Sequence, residues 1–102
     1  MTIAHLRAVR TLPCVVCAKG GGASDPHHLR SHAYGRGMGK KSHDKWVVPL
    51  CRPCHNSVHL VGSKEEPQWF EEHGINAEEL AKDLWAETPN RDRMIRILLR
   101  YL

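Results

Sequence analysis

The chain has 102 residues, a formal net charge of +4, eight histidines and four cysteines, but only one Phe, two Tyr and three Trp. That length fits one domain near the size at which apolar burial alone leaves little margin, which argues against a large-core enzyme. The longest uncharged apolar run, Trp46 to Cys51, is too short for a transmembrane helix, and His5, Arg7 and Arg10 interrupt any export signal, so the expectation is a cytoplasmic protein with no membrane partner.

Charge and chemistry are unevenly distributed. Residues 1–62 hold nine Lys/Arg against Asp25 and Asp44, a net +7, together with all four cysteines and seven of the eight histidines. Residues 63–102 hold six basic and nine acidic residues, a net −3. A local basic excess is a footprint of phosphate-rich partners.

In chain order, the first motif is Cys14-Val-Val-Cys17, whose counterpart Cys51-Arg-Pro-Cys54 lies 33 residues further on. Each C-x-x-C lets two thiolates reach one ion from a tight turn, and two such turns complete a tetrahedral zinc site. Disulfides and a redox C-x-x-C are the competing readings. A reducing compartment disfavours the first, and the lack of a thioredoxin-like strand–helix pattern disfavours the second. Structural Zn2+ is therefore expected on Cys14, Cys17, Cys51 and Cys54, where it would contribute directly to folding. Gly20-Gly21-Gly22 reads as a flexible turn after the first pair.

Pro26 then leads into a predicted strand through His28, Leu29 and Arg30. On a strand the rings of His27 and His28 point to opposite faces, so one can bind metal while the other acts as a base. Ser31 to Lys45 carries glycines at alternate positions among Arg36, Lys40, Lys41 and Lys45, which predicts a basic loop that follows a phosphate backbone with little sequence reading. After the second cysteine pair, Pro53 opens a predicted helix on which His55 and His59, spaced i, i+4, share one face and can share a metal. Val58, Leu60 and Val61 are expected to pack inward before Gly62 stops the helix. Using these histidines on the structural zinc is a third reading, but four cysteines already fill that shell.

Three helices are predicted beyond residue 62. Ser63 caps one running through Pro67, Trp69 and Phe70 to about His73, with Gly74 at C′. Asn76, with Glu79 at capping-box spacing, opens a second carrying Leu80, Leu84 and Trp85. Asn90 opens a third, apolar enough through Met94, Ile95, Ile97, Leu98, Leu99 and Tyr101 to suggest a homodimer surface.

The order C-x-x-C, His-His, then Pro-Leu-C-x-x-C-His resembles the HNH endonucleases with a ββα-metal core, in the variant carrying a four-cysteine zinc. The stretch Lys40-Lys41-Ser42-His43-Asp44 leading into Val48-Pro49-Leu50-Cys51 is similar to small prophage-encoded nucleases of the YbcO type and to the nuclease domain of the phage recombination-enhancement protein Ref. The resemblance implies a small α+β fold: one domain over 1–102, with a zinc-bound ββα-metal core at 12–62 and a helical extension at 63–102. It implies that His28 is the general base and that His27, His55 and His59 hold a catalytic divalent metal (Mg2+, Mn2+, Ni2+ or Zn2+). Arg30, Arg36, Lys40, Lys41, Lys45 and Arg52 are the candidate DNA contacts. The chain departs from the pattern at the middle Asn, where Trp46 stands, and Asp44 is the candidate substitute.

The implied activity is hydrolysis of DNA phosphodiester bonds to 5′-phosphate and 3′-hydroxyl ends in a bacterial host, in phage recombination or DNA processing, with a recombination protein as an implied partner. The alternative is a non-catalytic zinc module with a degenerate HNH site, binding DNA or serving phage assembly.

Overall fold

The computed structural model describes residues 2–18, 24–30 and 44–101. Among these, helix α1 (Thr2–Arg10) precedes strands β1 (Asp25–His28) and β2 (Val47–Leu50), followed by helices α2 (Arg52–His59), α3 (Glu66–Glu72), α4 (Ala77–Glu87) and α5 (Arg91–Leu99). This is a small α+β arrangement: one two-stranded sheet with helices packed around it. The glycine turn at 20–22 and most of the basic loop, with Arg36, Lys40 and Lys41, lie outside the described residues. No described helix is long and apolar enough to cross a membrane.

The strands are antiparallel, with Asp25 opposite Leu50 and His28 opposite Val47. The Leu29 N–H donates to the Trp46 carbonyl at 2.8 Å. Since bonded and unbonded pairs alternate, Pro26 and Pro49, which face each other, fall on an unbonded pair. Neither proline costs the ladder a donor there. The outward Pro49 carbonyl instead accepts the Val15 N–H at 3.1 Å, tying the first cysteine turn to β2.

The strand starts at Asp25 and ends at His28, two residues short of the expected end at Arg30. Arg30 turns away because its N–H donates to the Glu66 carboxylate at 2.6 Å. His27 and His28 do alternate, the first buried and the second half-exposed. All four residues of β2 are buried, because α1 and α4 pack on it as well as β1 and α2.

Helix α1 had no counterpart in the sequence reading. Its inward stripe includes His5 as well as Val9, and a histidine weakens the apolar period. The His5 ring lies edge-on to Trp85, with centroids 4.9 Å apart.

Helix α2 has Cys51 at its N-cap and a proline in its first turn. Val58 is buried, but Leu60, expected inside, is 88 % exposed because the helix ends at His59 and Leu60 sits past the buried face.

Helix α3 starts later than Ser63 suggested. Its N-cap is Glu65, with no side-chain cap. It ends as expected: Gly74 takes φ +75°, its N–H donates to the Glu71 carbonyl, and the Ile75 N–H donates to the Phe70 carbonyl, both at 2.9 Å. That is a Schellman motif, completed by the burial of Phe70 and Ile75. Asn76 and Asn90 both cap, each side chain accepting an N–H at 3.1 Å, from Glu79 and Arg93. Helix α5 buries Met94, Ile97 and Leu98 within the chain, leaving Leu99 exposed. Much of the apolar content that suggested a homodimer is thus used in this chain's own core.

Two candidate metal centres

The first centre joins the turn after α1 to the junction of β2 and α2. One ligand atom from each of Cys14, Cys17, Cys51 and Cys54 lies within 4.8 Å of every other, and all four thiols are free. The Cys17 and Cys51 sulfurs are 3.5 Å apart, too far for a disulfide. Two thiolates on a tetrahedral ion at about 2.3 Å would stand roughly 3.8 Å apart. Burial and the neighbouring sulfurs push the Cys54 thiol up, the cost of crowding thiolates without a cation among them. The donor set therefore fits a structural metal.

The first turn closes through the Ala18 N–H, 2.8 Å from the Cys14 carbonyl, with Ala18 at φ 61°. A Cβ is unfavourable in that region. Ala18→Gly is expected to stabilise the protein by about 1 kcal/mol, after the greater entropy lost by glycine on folding is set against the relieved strain. Denaturant midpoints check this, and an unchanged or lowered midpoint would refute it.

The second centre is built from His27 on β1 and from His55 and His59 one turn apart on α2. One ring nitrogen from each lies within 4.8 Å of the others. The Nε2 atoms of His55 and His59 are 3.0 Å apart, close to the separation of adjacent ligands at the usual metal–nitrogen distance of about 2.0–2.1 Å. Carboxylates hold the far sides of two rings. Asp25 Oδ2 accepts from His55 Nδ1 at 3.1 Å and from Arg52 Nε at 2.8 Å. Glu66, fully buried on α3, accepts from His27 Nε2. That leaves His27 Nδ1 buried with no hydrogen-bond partner among the described residues. A carboxylate on one ring nitrogen of His27 and of His55, with the other His27 nitrogen buried and unpartnered, fits the pattern of metal-ligating histidines.

Burial lowers the His27 pKa, outweighing the opposing pull of Glu66. Burial and then the nearby His55 and His27 lower that of His59. Burial would raise the Glu66 pKa, but the hydrogen bonds from His27 and Arg30 together hold it below the ordinary value.

Both His27 and Glu66 therefore bind protons more readily in the unfolded chain. Their contributions are complete above the ordinary values, 6.5 for His27 and 4.5 for Glu66, and are lost as pH falls from there through the folded-state values. The melting temperature is expected to fall from pH 7.5 to 5.5 and again towards pH 4. A flat profile between pH 7.5 and 5.5 would refute the part assigned to His27.

His28, on the other face of β1, is hydrogen-bonded through Nε2 to Asp44 Oδ1 at 2.8 Å, with the two side chains 41 % and 31 % exposed. Trp46, which stands where the resemblance expects an Asn, is buried. Of the expected cationic contacts within the described residues, Arg52 is exposed beside Asp25 and Lys45 lies 4.8 Å over the Trp46 ring. Arg30 turns inward instead: its Nε bonds Glu66, and its Nη2 bonds the Val58 and Val61 carbonyls at 2.9 and 3.1 Å. The buried carboxylate beside it draws the guanidinium in.

Sequence reasoning missed Asp25 and Glu66. Asp25 carried a signal, being one of two acidic residues in a basic half and set directly before Pro-His-His. Glu66 carried none, since it resembles any acidic residue in a helix's first turn.

No solved structure matches the chain. Over 55 residues the chain is 53 % identical to the uncharacterized protein YdfU of Escherichia coli (strain K12), a stretch covering 54 % of this chain and 15 % of YdfU. The chain thus matches only a small part of that relative. Residues 2–87, which include both centres and Glu66, match the family described as protein of unknown function (DUF968), and the chain belongs to that family.

Proposed function

We propose that the protein is a metal-dependent DNA endonuclease of the HNH, or ββα-metal, type, with a structural zinc on its four cysteines. The observation that carries this reading is the His27, His55 and His59 cluster, with its orphaned buried Nδ1, assembled from a strand and the helix after the hairpin. The adjacent His28–Asp44 pair supports it.

The chain's residues divide the work. Asp44 accepts the His28 Nε2–H, which leaves Nδ1 free to take a proton from water attacking a phosphodiester. An imidazole suits that task because its ordinary pKa lies near neutrality. A divalent ion held by the three histidines would stabilise charge on the phosphate and the leaving 3′ oxygen. Three imidazoles favour a borderline transition ion over Mg2+. Arg52 and Lys45, with Arg36, Lys40 and Lys41 of the basic loop, supply cations for the phosphate backbone.

One observation favours a second reading, a zinc module that binds DNA without cutting it: a buried Trp46 stands where the resemblance places the loop-pinning Asn. Plasmid nicking in Mg2+, Mn2+, Ni2+ or Zn2+, with a chelator control, separates the two. Metal-dependent nicking by the wild type that is lost in His28→Ala is the expected result. Equal nicking by both would remove His28 as the base. No nicking in any metal, with salt-dependent DNA binding retained, would establish the second reading.

A further inference from the structure

The buried Glu66 lies outside the strand–strand–helix unit that supplies the histidines, yet it is bonded into that unit on three sides. Its Oε1 accepts from His27 Nε2 and from Arg30 Nε at 3.1 Å, and its Oε2 accepts the Arg30 backbone N–H at 2.6 Å. The same guanidinium bonds the carbonyls of Val58 and Val61 at the end of α2, the helix carrying His55 and His59. One carboxylate thus sets the ring of one candidate ligand directly and, through Arg30, holds the helix bearing the other two. An ionised carboxylate can only accept, so the bond to Glu66 places a proton on His27 Nε2. In a neutral ring that leaves the lone pair on Nδ1, the buried atom without a partner.

We infer that Glu66 is a positioning residue for the histidine centre, holding His27 in the Nε2–H tautomer with Nδ1 directed at the ion and fixing α2 through Arg30. The inference rests on the metal-site reading above and extends that site into α3. A bond that merely stabilised the fold would place the same proton on Nε2, so the readout that separates the two roles is the metal affinity of the histidine centre.

Glu66→Gln is the discriminating change. A glutamine presents one acceptor and one donor where the carboxylate presents two acceptors. It either sets its NH2 group against the Arg30 N–H or turns that group towards His27, where it favours the Nδ1–H tautomer. Calorimetric titration of the purified 102-residue chain with Ni2+, its cysteine centre loaded, is expected to show binding about 10- to 100-fold weaker in Glu66→Gln than in the wild type. Circular dichroism and retained metal at the cysteine centre serve as folding controls. Nitrogen-15 NMR of the histidine rings in the wild type before Ni2+ addition is expected to show His27 protonated at Nε2.

Equal Ni2+ affinity in the two folded proteins would overturn the role of Glu66 and leave the metal site standing. No Ni2+ binding by the wild type would overturn the site and this inference with it. If the variant fails to fold, the wild-type spectrum decides: Nε2–H supports the inference and Nδ1–H overturns it.

Discussion

Cys51→Ser is expected to leave the protein unfolded at ordinary temperature, as is removal of metal from the wild type by a strong chelator. Structural zinc contributes about 10–16 kcal/mol to the folding of small domains, whereas whole domains are stable by only about 5–15 kcal/mol. Here the cysteine centre ties the turn after α1 to the start of α2, beside the apolar core that Leu12 and Val15 share with Val48 and Leu50. Cys14 and Cys17 sit on the turn after α1, Cys51 and Cys54 lie at the start of α2, and among the described residues the Val15–Pro49 bond ties the first turn to β2 by backbone. Far-UV circular dichroism before and after chelation, with metal analysis of the purified protein, checks the claim. Less than one tightly bound ion per chain, or a melting curve indifferent to chelation, would refute it. His59→Ala removes a candidate ligand from the histidine centre only and is expected to keep the fold.

The second large effect concerns His28. If His28 takes the proton from water, His28→Ala should lower the nicking rate about 10²- to 10⁴-fold, the usual contribution of a positioned general base. Asp44→Asn should cost less, about tenfold, because both side chains are partly open to water and solvent can replace part of the carboxylate's hold. Neither variant should change Ni2+ affinity much, since neither residue is among the clustered ligands. Single-turnover nicking at saturating metal separates this chemical effect from loss of the ion. A larger loss in Asp44→Asn than in His28→Ala would reverse the assigned roles.

Legibility of the fold followed the range of the interactions. The Asn76 and Asn90 caps, the Gly74 stop and the alternation of His27 and His28 each depend on residues within a few positions, and each was readable. So was the pairing of two C-x-x-C turns, because two ligands three positions apart already form half a tetrahedral site. Misplaced boundaries arose where a distant group intervened: β1 ends at His28 because the Arg30 N–H is captured from α3. Helix α1 escaped notice because one of its inward positions is a histidine whose environment includes a tryptophan 80 positions away.

The candidate site divides in the same way. Spacing paired the two C-x-x-C motifs and put His55 with His59, since side-chain reach and helical period limit what can share an ion, whereas His27 was set with them only by the resemblance. Only the tertiary structure decided which groups back those ligands. Glu66 lies 39 residues from His27, and Arg30 turns from a candidate phosphate contact into an internal brace because a buried carboxylate must be neutralised. A buried charge takes its partner from whatever the completed fold brings beside it, and no local pattern in the chain records that choice.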